Sequence, residues 1–119
     1  MPMNWIMLQS FEQLSAIKAA KGYSIIFKHS TRCSISMMMK KRVEMDWDIL
    51  PENVNVYFLD LISYRNISNG IVDIFQIHHE SPQLLVIRDG ECIYESSHGE
   101  ISIEEAAEQI LSSTDTANS

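Results

Sequence analysis

The first clear pattern from the N-terminus is helical. Phe11, Leu14, Ile17 and Ala20 recur at three-residue steps, Ser10 stands in a capping-box spacing to Gln13, and Gly22 offers a left-handed stop; together they predict a helix over residues 11–21. Tyr23-Ser24-Ile25-Ile26-Phe27 is β-branched and aromatic without a breaker, which predicts a buried strand ending near Lys28 or His29. Beyond the loop His29-Ser30-Thr31-Arg32, residues 33–46 contain no Gly or Pro, and Ile35, Met38, Met39 and Val43 share one side of a 3.6-residue period. A second helix therefore starts at or beside Cys33. Val54 to Leu59 is apolar nearly throughout, as a central strand covered on both faces should be. Ile67, Ile71, Ile74 and Phe75 mark a third helix weakened by Gly70. Two strand-like runs, 83–87 and 91–95, are joined by Arg88-Asp89-Gly90, a hairpin signal. The last helix opens on the Ser102/Glu105 capping spacing and carries Ile103, Ala106, Ala107, Ile110 and Leu111, after which residues 112–119 read as a frayed polar tail.

The predicted order is α-β-α-β-α-β-β-α. Strands alternating with helices require parallel crossovers and the terminal hairpin adds antiparallel strands, so an α/β domain over residues 1–111 is expected, a small mixed sheet of about four strands with helices on both faces. Functional groups in such sheets gather at the carboxyl ends of the parallel strands. The loop from His29 to Cys33 lies at one of them.

Composition narrows the function. With 119 residues, 45% hydrophobic and 21% charged, the chain is an ordinary single globular domain. Sixteen acidic against nine basic residues give a net charge of −7, which disfavours a nucleic-acid partner. No run is long and apolar enough to span a bilayer, and the apolar N-terminus has neither a basic flank nor a small-residue cleavage site, so no membrane role and a cytoplasmic location are expected. Cys33 and Cys92 would then be free thiols.

Cys33 is the candidate nucleophile. At the start of a helix, unpaired N–H groups and the macrodipole favour thiolate by about 0.3–2 kcal/mol, roughly one pKa unit, to which Arg32 adds. A fall of about one to one and a half units from about 8.5 raises the thiolate fraction at pH 7 from about 3% to between a quarter and a half. In Cys33-Ser34-Ile35-Ser36, serine stands where a dithiol oxidoreductase carries its second cysteine. An internal resolving step is thereby removed, and an outside thiol must complete any exchange. Taken alone, this spacing also fits an inert small residue at a helix start.

The stretches Phe27-Lys28-His29-Ser30-Thr31-Arg32-Cys33-Ser34-Ile35-Ser36 and His79-Glu80-Ser81-Pro82-Gln83 resemble the monothiol bacilliredoxins of the YtxJ type, and residues 10–111 resemble a thioredoxin-like fold. The resemblance implies that Cys33 attacks mixed disulfides between proteins and bacillithiol, with Pro82 as a cis-proline facing it. The family typically has Thr-Cys-Pro-Ile-Ser, from which Arg32 and Ser34 depart. In that frame Thr31 and Ser36 are candidates to hydrogen-bond the thiolate, His29 to favour its charge, and Ser81, Pro82, His98 and Gly99 to shape a substrate groove. If the Ser81–Pro82 bond is cis, Ser81 can offer its backbone to an extended segment.

The remaining candidates read as structural. Cys92 alternates with Ile93, which places it with Tyr94 on one face as a buried thiol. His29, His78, His79 and His98 lack metal-ligand spacing, so no metal is expected. Met37-Met38-Met39 suits helix packing, and Lys40-Lys41-Arg42 a solvated face. Two functions result. The first is a monothiol thiol-disulfide oxidoreductase with no bound cofactor, acting on S-thiolated client proteins with a low-molecular-weight, bacillithiol-like thiol as co-substrate. The second is a non-catalytic interaction module or redox-sensing subunit of the same fold.

Overall fold

The computed structural model describes residues 4–118. Its elements are β1 (Ile6–Met7), α1 (Phe11–Ala19), β2 (Tyr23–His29), α2 (Ser34–Met45), β3 (Asn55–Asp60), α3 (Arg65–Phe75), β4 (Gln83–Arg88), β5 (Glu91–Ser97) and α4 (Ile103–Asn118), with 3-10 turns at Trp47–Ile49 and His98–Glu100. One sheet runs in the order β1-β3-β2-β4-β5. β1 and β2 flank β3 in parallel, while β4 is antiparallel to β2 and β5.

Strand alternation divides the core. Ile25, Phe27, Val56, Phe58, Leu84 and Val86 pack with Met39 and Val43 of α2 and with Ile103, Ala106 and Ile110 of α4. Ile26, Leu59, Leu85 and Ile87 turn the other way, onto Leu14 and Ile17 of α1 and Ile67, Ile71 and Phe75 of α3. Removing both faces from water is the main source of stability. The cap serines act as their spacing predicts: Ser10 Oγ accepts the Gln13 amide at 3.2 Å and Ser102 Oγ the Glu105 amide at 3.3 Å. Gly70 sits where α1 and α3 meet, and a Cβ there would stand 2.8 Å from the Phe11 ring and 3.1 Å from Leu14. Its place in the helix reflects that close approach.

Three details depart from the sequence reading. A fifth strand exists, because β1 has only two residues and offers no period to read. Parallel pairing with β3, the Leu8 amide on the Phe58 carbonyl (2.9 Å) and the Trp5 ring against Trp47 and Phe58 hold it. The segment expected to fray from Ser112 continues as helix to Asn118, Ser119 lying outside the described residues. No Gly or Pro follows Gly99, and each residue added to an existing helix gains a hydrogen bond.

The third concerns Cys92. Val86 pairs with Tyr94 but Ile87 with Cys92, so one step on β4 matches two on β5. This bulge breaks the alternation. Cys92 packs on the α1/α3 side, whereas Tyr94 and Ile93 pack on the α2/α4 side. Among the described residues no helix is long and apolar enough to cross a membrane.

Candidate functional site

The parallel strand β2 delivers the chain at its carboxyl end into a tight turn. The Cys33 amide donates to the Ser30 carbonyl (3.2 Å), and the Cys33 carbonyl accepts the Met37 amide (3.2 Å) and so begins α2. Cys33 is thus the N-cap of α2, with extended backbone angles and no side-chain capping bond. It is half-buried. The first turn of α2 contains no acidic residue, so the helix end offers its amides and positive dipole end to the sulfur without a competing carboxylate. Thr31, Arg32 and Ser34 are exposed around it.

Ser36 does something other than contact the sulfur. It is fully buried, its Oγ accepts the Ser30 amide at 2.9 Å, and it lies 2.8 Å from His29 Nδ1. With the oxygen already accepting, the hydroxyl proton is free to donate to Nδ1, which leaves the imidazole proton on Nε2. Ser36 therefore ties the turn carrying Cys33 to the end of β2. Among the described residues neither Ser36 nor Thr31 hydrogen-bonds the Cys33 sulfur.

His29 is buried against the rings of Phe58 (5.1 Å) and Phe27 (5.9 Å). Burial and the charge of Lys40 hold its pKa below the ordinary range, against the pull of Asp60, Ser36 and Glu44. At neutral pH it is uncharged. The expectation that His29 would favour the thiolate by its charge is corrected on that ground, and its contribution is to anchor Ser36.

The second half of the site comes from β4. Because β2 and β4 are antiparallel, with Lys28 opposite Gln83, the residues entering β4 lie beside the carboxyl end of β2. The Ser81–Pro82 peptide is cis, Pro82 is buried, and its carbonyl accepts the His98 amide at 3.0 Å. The turn His98–Glu100 in its turn lies against α2. His98 adopts a left-handed conformation (φ 55°), and its Nε2 pairs with Glu80 Oε1 at 2.9 Å. Gly99 is exposed, and a Cβ on it would meet nothing within 4 Å. Close backbone passage is thus not what requires glycine there.

Cys92 lies away from this end. It pairs with Ile87, which pairs with Ser24 at the amino end of β2, whereas Cys33 follows His29. Five residues at about 3.3 Å each separate the two ends by about 16 Å, and a disulfide needs Cα atoms within about 7 Å. The Cys92 thiol donates to the Tyr94 carbonyl (3.4 Å), and burial pushes its pKa up to about 11. Among the described residues no three His, Cys, Asp or Glu side chains cluster to hold a metal ion. A cavity of about 390 Å³ lined by Trp47, Leu50, Pro51 and Val56 sits at the amino end of β3, at the opposite end of the sheet from Cys33.

Comparison with known proteins gives these features a common origin. The family model of the monothiol bacilliredoxin BrxC matches residues 6–106. The chain belongs to the monothiol bacilliredoxin family. Among solved structures, a candidate oxidoreductase with a thioredoxin fold is 26% identical, with a TM-score of 0.76 over 87% of this chain and 91% of the other. A thioredoxin variant from Halobacterium salinarum (16% identity, TM-score 0.70, 93% and 91% covered) and the Malassezia sympodialis thioredoxin (16%, 0.70, 98% and 93%) share the fold. The bacilliredoxin fold is therefore thioredoxin-like, and the protein is a thiol-disulfide oxidoreductase by family. Four residues that hold this bacilliredoxin site together, Lys28, Ser30, Glu80 and Gln83, were not singled out from the sequence. Lys28 carried a usable signal, since it falls in step with Ser24 and Ile26 on a strand predicted to be buried.

Proposed function

We propose that this bacilliredoxin removes a low-molecular-weight thiol of the bacillithiol kind from S-thiolated client proteins by a monothiol cycle. The Cys33 thiolate attacks the small-thiol sulfur of the mixed disulfide; the new S–S bond joins Cys33 to the small thiol, and the client sulfur leaves as thiolate and takes a proton from water. A second small-thiol thiolate then attacks the adduct, which forms the symmetric small-molecule disulfide and returns Cys33 as thiolate. One disulfide is exchanged for another: the client sulfur returns to the thiol level and one free small thiol is consumed as it joins the small thiol taken from the client, so the cycle balances without a bound cofactor.

The observation that carries this reading is the placement of Cys33 at the open end of α2 with no second thiol in reach among the described residues. Ser36 occupies the resolving position as a buried strut, and Cys92 is at the other end of the sheet. In this reading Ser81 and Pro82 present backbone to an extended client segment by strand addition, with His98 at the groove's rim, Thr31, Ser34 and Arg32 border the adduct, and the reaction takes place in the cytoplasm.

The test is intact-mass analysis after incubation with oxidised bacillithiol or glutathione, followed by turnover of a bacillithiolated model protein. One adduct is expected on wild type and Cys92→Ser, none on Cys33→Ser, with repeated turnover in wild type. An adduct that persists on Cys33→Ser would exclude the proposed nucleophile, and a single turnover at most would point to a redox-sensing subunit.

A further inference from the structure

On its α1/α3 face, β2 ends in a charge. Lys28 is fully buried, and among the described residues no carboxylate forms an ion pair with it. Its Nζ instead lies 2.9 Å from His79 Nδ1 and donates to Gln83 Oε1 at 3.2 Å. Gln83 is also fully buried and extends the grip: Oε1 accepts the Glu80 amide (3.4 Å), while Nε2 donates to the His78 carbonyl (3.1 Å) and Glu95 Oε2 (3.0 Å). One amine and one amide thus hold His78 by its carbonyl, His79 by its ring and Glu80 by its amide. These are the three residues that lead into Ser81–Pro82. On the solvent side Glu80 pairs with His98.

We propose that Lys28 is the positioning residue of the substrate-binding loop, its ammonium setting where residues 78–80 place Ser81 relative to Cys33. The proposal rests on the reading that Ser81 docks the client. An ammonium has only donors, so His79 Nδ1 must be the acceptor and the ring must be neutral. Two titrations therefore bound the anchored state. Burial and the neighbouring Lys28 keep the His79 pKa below its ordinary range, with Glu80 opposing and Arg65 of α3 adding to the shift. Burial lowers Lys28 to about 8, with Glu80 opposing. The other titratable groups turned toward the cluster are Glu95 of β5, through Gln83, and His98, through Glu80. Below the His79 midpoint the acceptor is lost and like charges face each other; above about 8 the bonds lose their charge assistance.

The experiment measures KM and kcat for a bacillithiolated protein from pH 5.5 to 9.5 in wild type, Lys28→Met and Lys41→Met. Lys41 is exposed on α2 and serves as control. Wild type and Lys41→Met are expected to show a KM minimum between the two midpoints, rising on both sides. Lys28→Met is expected to raise KM about fivefold at pH 7 with kcat within about twofold, and to lack the alkaline rise. Hydrogen exchange of the Glu80 amide, read by NMR, gives a second measure that needs no turnover. Its protection in wild type should fall with the midpoint at which Lys28 Nζ titrates and be lost in Lys28→Met. A KM unchanged in Lys28→Met, or Glu80 protection equal in wild type and variant, overturns the proposal. If wild type turns over no mixed disulfide, the reading of the preceding subsection fails and the Glu80 amide alone decides the anchor.

Discussion

Lys28 also makes a prediction about stability that is independent of any substrate. Its pKa falls from 10.5 in a solvated chain to about 8 in the folded protein, with burial as the main cause. Between these values the unfolded chain binds a proton that the folded one does not, so folding stability rises with pH across that window and falls as pH drops toward 8. At about 1.4 kcal/mol per unit, a difference of two to three units corresponds to about 3 kcal/mol. Burial also raises the Cys92 thiol, to about 11, and comparison with Lys28→Met cancels its contribution. Urea unfolding under reducing conditions at pH 7.5, 8.5, 9.5 and 10.5 provides the measurement. The stability of wild type minus that of Lys28→Met should increase by about 3 kcal/mol from the lowest to the highest pH, a shift in relative midpoint of about 1–3 M for a protein of this size. A difference that stays flat over these three units would refute the account of a buried, charged Lys28.

Further outcomes follow from other parts of the structure. Ser36→Ala leaves the Ser30 amide and His29 Nδ1 without their partner and should lower unfolding stability by about 1–3 kcal/mol, read from urea midpoints. His29, whose pKa is lowered by folding, contributes stability that is full above its unfolded value of about 6.5 and lost as pH falls through the lower folded one; His29→Phe should lack this acid limb in thermal melts. Iodoacetamide at pH 8 should alkylate Cys33 and spare Cys92 until urea is added, as peptide mapping would show, because burial raises the Cys92 thiol to about 11. Gly90 has φ of 83°, and a Cβ there would meet the Lys18 carbonyl, so Gly90→Ala should lower the melting temperature by several degrees, at a cost above about 1 kcal/mol.

The sequence revealed most where a period extends over several residues. β2 through β5 and all four helices were legible because apolar spacing and cap serines repeat the same message, and the place of Cys33 at the start of α2 was legible because a buried strand ends just before it and a helical period begins just after it. The two-residue β1 has no period, and its docking depends on the Trp5 ring meeting Trp47 and Phe58, contacts far apart in the chain. The bulge at Ile93 was hidden because the residues themselves alternate well enough; only the pairing with β4 reveals the extra one. Ser36 was found but assigned the wrong neighbour. Spacing puts it one turn from Cys33, while the burial of His29 decides which atom its hydroxyl meets. Lys28 escaped notice because a lysine after a buried run reads as the strand's exit into solvent, and the polar loop that covers it returns from residues 78–83.

The bulge in β5 and the brevity of β1 together protect the rims of the sheet. A long, flat outer strand with unpaired backbone groups is a template onto which another chain can add, the usual route to fibrous aggregation. Here one rim is two residues long and the other is kinked out of register, so neither offers a straight ladder to a neighbouring copy. Copies of the chain are thereby denied an edge along which to join one another.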